Sequence, residues 1–153
     1  MQRIVHPDFH GGSSKELAGE AVVASSTLNA AFHTLRNPHS RAQYLLRIQG
    51  EDTQGEGGEE SRAVSPLLLM EVMEARELVE DPSTPLRSLQ RMRVRAEEAV
   101  GKCVGDLSEA FREEGGSGRA RARNITVALS YYHKLVEEVD AVLEVREAKE
   151  GPR

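Results

Sequence analysis

The tripeptide His6-Pro7-Asp8, within the stretch RIVHPDFHGG at residues 3–12, sets an imidazole and a carboxylate on either side of a proline. Pro7 fixes its own φ and biases His6 toward an extended backbone, so the two polar groups are presented in a restricted geometry. That arrangement suits recognition, because an anionic Asp8 can accept charge-assisted hydrogen bonds from a partner arginine. A plainer role is open beside it, in which Asp8 only ends a turn ahead of Gly11 and Gly12. Other chemistry is poorly served. Pro7 rules out a helical His6/His10 ligand pair, and no cysteine or further histidine joins them, so no metal site is expected. His6 with Asp8 supplies neither a nucleophile nor a pocket, so no catalytic residue, enzyme activity or cofactor is assigned.

A second group of residues offers binding chemistry. If residues 66–80 form a helix, Leu68, Val72, Ala75 and Val79 fall on one stripe, the natural core face. Met70 and Met73 then lie on the opposite face beside Glu74 and Glu77, with Leu69 at its margin. In the last predicted helix Tyr131 stands off the Ile125/Leu129/Val136 seam. These side chains either edge a broad core or form a docking surface, in which adaptable thioethers and leucines rimmed by acids would suit a partner with an apolar centre and basic margins.

The elements that must hold these groups are helical. The chain has 153 residues with 4% aromatics and no Trp, and a surplus of Leu, Ala, Val, Glu and Arg that favours an all-α fold. Leu17, Ala21, Ala24, Leu28, Ala31, Phe32 and Leu35 recur at helical spacing behind the capping-box pattern SSKE, in which Ser13 and Glu16 take the paired roles. Asn37 and Pro38 read as N-cap and first position of a short helix reaching about Ile48. The stretch GEDTQGEGGEES, residues 50–61, contains no apolar side chain and reads as a flexible acidic Gly-rich linker, taken as residues 50–63. Beyond it, residues 64–150 read as an antiparallel three-helix bundle. Its helices are Pro66 to Asp81; a long one opened by Ser83 or Thr84 and carrying Leu86, Leu89, Met92, Ala96, Val100, Cys103, Leu107 and Ala110; and, after the EEGGSG break at 113–118, one carrying Ile125, Leu129, Tyr132, Val136, Val139 and Leu143.

The totals narrow the partners. A formal net charge of -5 argues against general nucleic-acid binding, and no apolar run is long enough for a membrane span. Cys103 is the only cysteine, which excludes an internal disulfide or a multi-cysteine metal site and points to a reducing compartment. The Arg87/Arg91/Arg95 row reads as a solvated stripe, RARAR at Arg119–Arg123 as solvated charge, and His33, His39 and His133 as surface residues.

Taken together, HPDF, SSTLNAAFHTLRNPHSRAQYLL, LLLMEVMEARELVED and NITVALSYYHKLVEEV resemble, in order and spacing, the J-domain co-chaperones of iron-sulfur cluster biogenesis, the HscB family in its mitochondrial form. The resemblance covers residues 3–48 and 64 to about 145. It implies that His6, Pro7 and Asp8 engage the ATPase of a DnaK-type heat-shock chaperone. It further implies that Leu69, Met70, Met73, Glu74, Glu77 and Tyr131 bind the iron-sulfur cluster scaffold protein, and that the compartment is the mitochondrial matrix. These are the side chains that the helical wheel sets outside the core.

The chain departs from the pattern at its start. A J domain has two helices before the His-Pro-Asp loop, whereas only Met1 to Val5 precede it here, and Arg3 is the sole remnant of the basic second helix. Residues 1–49 therefore read as a truncated J domain in which Leu28, Phe32 and Leu35 lack a packing partner and ATPase stimulation is weak. A gene start set too far downstream would give the same sequence. The alternative function is an adaptor that binds the scaffold without triggering the ATPase.

Overall fold

The computed structural model describes residues 15–50 and 65–150, which form five α-helices and no strand. They are α1 (Lys15–Arg36), α2 (Pro38–Ile48), α3 (Pro66–Glu80), α4 (Leu86–Ala110) and α5 (Gly116–Glu150). The all-α expectation is met. The His6-Pro7-Asp8 motif, Ser13 of the capping box and residues 51–63 of the acidic stretch lie outside the described residues. None of the described helices is long and apolar enough to cross a membrane.

The chain divides into two compact units between Tyr44 and Leu45, inside α2. In the first, α1 and α2 meet at Asn37, whose Oδ1 accepts the backbone N–H of Ser40 at 3.0 Å. Pro38 follows at the first helical position, where a missing N–H costs nothing. Arg41 Nη1 donates to the Leu35 carbonyl at 3.0 Å and so satisfies part of the end of α1. Along the apolar stripe of α1, Ala21 is buried and Leu28 half-buried, while Phe32 and Leu35 are 55% and 58% exposed. The Arg36 guanidinium lies over the Phe32 ring, 5.7 Å from its centroid.

The second unit holds the end of α2 and the three-helix bundle. Leu89, Ala96, Cys103, Leu107 and Ala110 form the buried stripe of α4, at steps that keep one face turned to its neighbour. Against it α5 sets Ala122, Leu129, Leu135, Val139 and Leu143, all buried. Thr126 is buried among them, and its hydroxyl is satisfied by donating to the Ala122 carbonyl at 2.7 Å. Cross-helix pairs fix the direction: Gln90 meets Glu147, Arg93 meets Asp140, and Arg121 reaches Glu109 and Glu113, so α4 and α5 run antiparallel. The first and last helices run parallel, since Glu71, Arg76 and Asp81 meet Tyr132, Glu138 and Arg146 in ascending order.

Two local expectations are corrected. Neither Ser83 nor Thr84 caps α4; its N-cap is Pro85, with no side-chain cap. Asp81 competes successfully for the serine: its carboxylate accepts the Ser83 backbone N–H and the Ser83 hydroxyl, both at 2.8 Å. These two bonds hold the Asp81 carboxyl below its ordinary pKa, and Arg146 reinforces them. The Thr84 carbonyl is taken by Arg146 Nη1 at 2.7 Å. The break between α4 and α5 is also shorter than 113–118, because α5 begins at Gly116. Gly115 carries the reversal at φ 102°, a left-handed conformation that suits glycine. Gly118 is then drawn so close to the end of α4 that a Cβ there would sit 2.6 Å from the Ala110 carbonyl oxygen and 2.7 Å from that of Glu113.

Glycine-to-alanine exchange should therefore have opposite signs at two sites. Gly118→Ala should lower stability by about 1–3 kcal/mol through overpacking against backbone. Gly101→Ala, mid-helix in α4 with no atom within 4 Å of an added Cβ, should raise it by about 0.5–1 kcal/mol. Urea midpoints of the two variants against the parent chain check both signs.

Candidate functional site

The site is built on α3. Pro66 at the first position, with the Ser65 carbonyl accepting the Leu69 N–H at 3.1 Å, opens the helix, and Pro82 stops it. Between them α3 buries only two side chains fully, Val72 and Val79, with Leu68 and Ala75 half-buried beside them. This is the stripe expected from the sequence. It rests chiefly on α5, and Val79 also joins Leu89 and Ala96 of α4 in the shared core.

Three polar contacts lock α3 onto α5. Arg76 Nε donates to Glu138 Oε2 at 2.9 Å, with both side chains about one-third exposed. Arg76 is the only cation in α3, which also carries four glutamates. Arg146 Nη2 donates to the Asp81 carbonyl at 2.8 Å, just past the end of α3. Tyr132 Oη donates to Glu71 Oε2 at 3.3 Å on the other side of the helix. Burial, and then the neighbouring Glu71 carboxylate, push the Tyr132 phenol above its ordinary pKa, so it stays a donor.

The same lock fixes the register of the outer flank. Arg76 and Glu138 are level, and the helices are parallel. A step of seven residues back along each, about two helical turns, leads to Leu69 and Tyr131 on the same flank and at the same height. Both are half-buried. One turn on from Leu69 stands Met73, 61% exposed, and beside it Met70, 58% exposed. Glu74 and Glu77 are exposed on the solvent side. The six residues singled out in the bundle thus divide into two half-buried side chains, Leu69 and Tyr131, and four exposed ones. Leu69, Met73 and Tyr131 form an apolar strip along the α3/α5 edge, and the carboxylates border it. An acid-bordered strip of thioether, leucine and phenol can bind apolar side chains while attracting cations around them.

Two features of this region escaped the sequence reading. Arg76 is the clamp beneath the strip, and its isolation among glutamates was the available signal. Leu67 and Leu78, 77% and 50% exposed, leave the opposite flank of α3 apolar as well. Elsewhere, Cys103 is buried against the bundle seam, and that burial raises its thiol pKa, which disfavours the reactive thiolate. Among the described residues no group of three or more His, Cys, Asp or Glu side chains is gathered to hold a metal ion.

Comparison with known proteins bears on the same segment. The HSCB C-terminal oligomerisation domain family matches residues 64–140, just over half of the chain. The co-chaperone protein HscB of Proteus mirabilis is 40% identical over 81 residues, which are 53% of this chain and 45% of that one. An HscB homolog of Azoarcus sp. is 31% identical over 149 residues, covering 96% of this chain and 81% of the relative. The iron-sulfur cluster co-chaperone protein HscB homolog of Arabidopsis thaliana is 29% identical over 140 residues, 90% of this chain and 52% of that protein. The chain thus spans about half the length of some of these curated relatives and about four-fifths of others. No solved structure matches it.

Because α3 is held by few side chains, its clamp should be measurable. A double-mutant cycle of Arg76→Ala and Glu138→Ala should give a coupling of about 1 kcal/mol, discounted for the partial exposure of the pair. Arg76→Ala should speed amide hydrogen exchange in α3 while leaving the centres of α4 and α5 unchanged.

Proposed function

The chain belongs to the HscB family of co-chaperones, and from that premise we propose that it binds the iron-sulfur cluster scaffold protein and delivers it to a DnaK-type heat-shock chaperone. The observation that carries the delivery half is the strip on the α3/α5 edge. Leu69, Met73 and Tyr131 supply its apolar centre, Met70 extends it, and Glu74 and Glu77 give it an acidic border. A partner segment with an apolar core and basic margins is the complement of such a surface.

His6, Pro7 and Asp8 are the triggering residues in this reading. The support for them is the motif itself and its family resemblance. The chain makes and breaks no bond. Its effect on hydrolysis is exerted in the partner, because binding that prefers the hydrolysis-competent state of the chaperone shifts its population toward that state. The mitochondrial matrix belongs to the same proposal and is carried by the resemblance.

Two measurements test the halves separately. Leu69→Ala, Met73→Ala and Tyr131→Ala should each weaken scaffold binding in calorimetric titration, with at least one costing about 2 kcal/mol or more. Thermal melts of the same variants check that the bundle persists. Unchanged affinity in all three would remove the strip from the interface. His6→Gln should abolish stimulation of the chaperone's ATP hydrolysis and leave the scaffold affinity as it was. Equal stimulation by parent and variant would remove the tripeptide from the mechanism.

A further inference from the structure

The other flank of α3 is separated from α4 by a groove of about 420 Å³. Its floor is apolar, made by Ala75 of α3, Met92 and Ala96 of α4 and Leu135 of α5. Leu78, half exposed, stands at the α3 edge. The two lips carry opposite charge. On the α3 side are Glu71 and Glu74; on the α4 side are Arg91 and Arg95. Among the described residues no ion pair crosses from one lip to the other. Arg91 makes only a long contact of 3.4 Å to the Ser88 hydroxyl, and Glu71 is engaged by the Tyr132 hydroxyl on the floor side. Arg87 and Lys102 extend the basic row along α4 at helical spacing.

Two facing rows of opposite charge in one short bundle would be expected to pair. They do not: α3 lies nearer α5 than α4, and the groove keeps the two rows apart above the shared core. What satisfies both rows at once is an occupant lying between them with an apolar face down and a differently charged flank on each side.

We propose that this groove is a second docking site, and that its occupant is an amphipathic helix of a partner protein with an acidic flank toward Arg91 and Arg95 and a basic flank toward Glu71 and Glu74. The helix-in-groove mode uses the same physics as a bundle interior, with apolar anchors at helical spacing filling the floor. The charge asymmetry adds direction. Turning the helix end for end would carry its acidic flank to Glu71 and Glu74, so only one polarity is admitted. The site is distinct from the Leu69/Met73/Tyr131 strip, which lies on the far flank of α3; the two share only Glu74, on the crest between them.

Fluorescence anisotropy of the full chain with labelled helical peptides of roughly 18 residues tests this. The peptides share a leucine stripe and carry Glu on one flank and Lys on the other, Lys on both flanks, or Glu on both. The mixed peptide should bind at least about tenfold more tightly than either uniform one, with the advantage shrinking as salt is raised. Arg91→Glu combined with Arg95→Glu should cancel that advantage and favour the all-Lys peptide, while Met73→Ala leaves it intact. Amide and methyl chemical shifts of the unmutated chain supply an arm that needs no variant: Ala75, Leu78, Met92 and Ala96 should move on titration. Equal affinity for the three peptides, or shifts confined to residues outside the groove, would overturn the proposal. Sedimentation showing a dimer that the paired arginine reversal dissolves would overturn it too, since the occupant would then be a second copy of the chain.

Discussion

The seam between α4 and α5 is the constraint from which the rest of the bundle follows. Its two helices are long, each contributes five buried apolar side chains, and the ion pairs along their edges hold one register. At the turn end the facing residues are small, Ala110, Gly118 and Ala122, so the backbones approach closely and the reversal is tight. Further along, larger side chains at Leu89, Leu135, Val139 and Leu143 leave a broad apolar surface that two helices alone cannot cover. A third helix is required there. Its length is set by that surface and not by its own propensity, which is why α3 is the shortest of the three.

That subordinate position explains the chemistry displayed by α3. A helix held by Val72 and Val79, each contributing about 1.5–3 kcal/mol of burial, has most of its circumference left over. A purely structural helix would fill that remainder with charge alone. Instead Leu67, Met70, Met73 and Leu78 are at least half exposed, distributed on both sides of the buried stripe. Apolar residues all around a helix belong in an interior. Among the described residues nothing completes that interior for α3, and the two proposed docking sites would do so, one at the α5 edge and the other in the groove toward α4.

Much of the architecture could be read from the residues because it is local or strictly periodic. The seam positions of α4 recur at three- and four-residue steps, and the Asn37-Pro38 corner is a matter of one side chain and one fixed φ. The outward set of Met70, Met73, Glu74 and Glu77 followed from the same wheel that gave Val72 and Val79 as core. What escaped depends on which helix neighbours which. The cap expected at Ser83 is lost to the Asp81 carboxylate two residues upstream, and the turn is fastened by Arg146 from α5, which binds the Thr84 carbonyl. The need for glycine at position 118 arises only once α5 folds back over the end of α4. The Arg91/Arg95 row looks like any solvated stripe until α3 is seated on α5, for only then does it become one lip of a groove facing two glutamates.

The two flanks are not independent surfaces, because they are opposite walls of one lightly held helix. Local opening of α3 would remove the Arg76 clamp, the Leu69/Tyr131 juxtaposition and the acidic lip of the groove together. Any ligand that recognises only the seated helix stabilises the seating by mass action and relieves a second ligand of that cost. Linkage makes the effect reciprocal: whatever factor a segment on the α5 edge gives to binding in the groove, a helix in the groove returns to the edge. Glu74 tempers this, since it stands on the crest and its one carboxylate is offered to both sides. The sign of the coupling is thus a contest between shared seating of α3, which favours joint occupancy, and the single charge at Glu74, which opposes it.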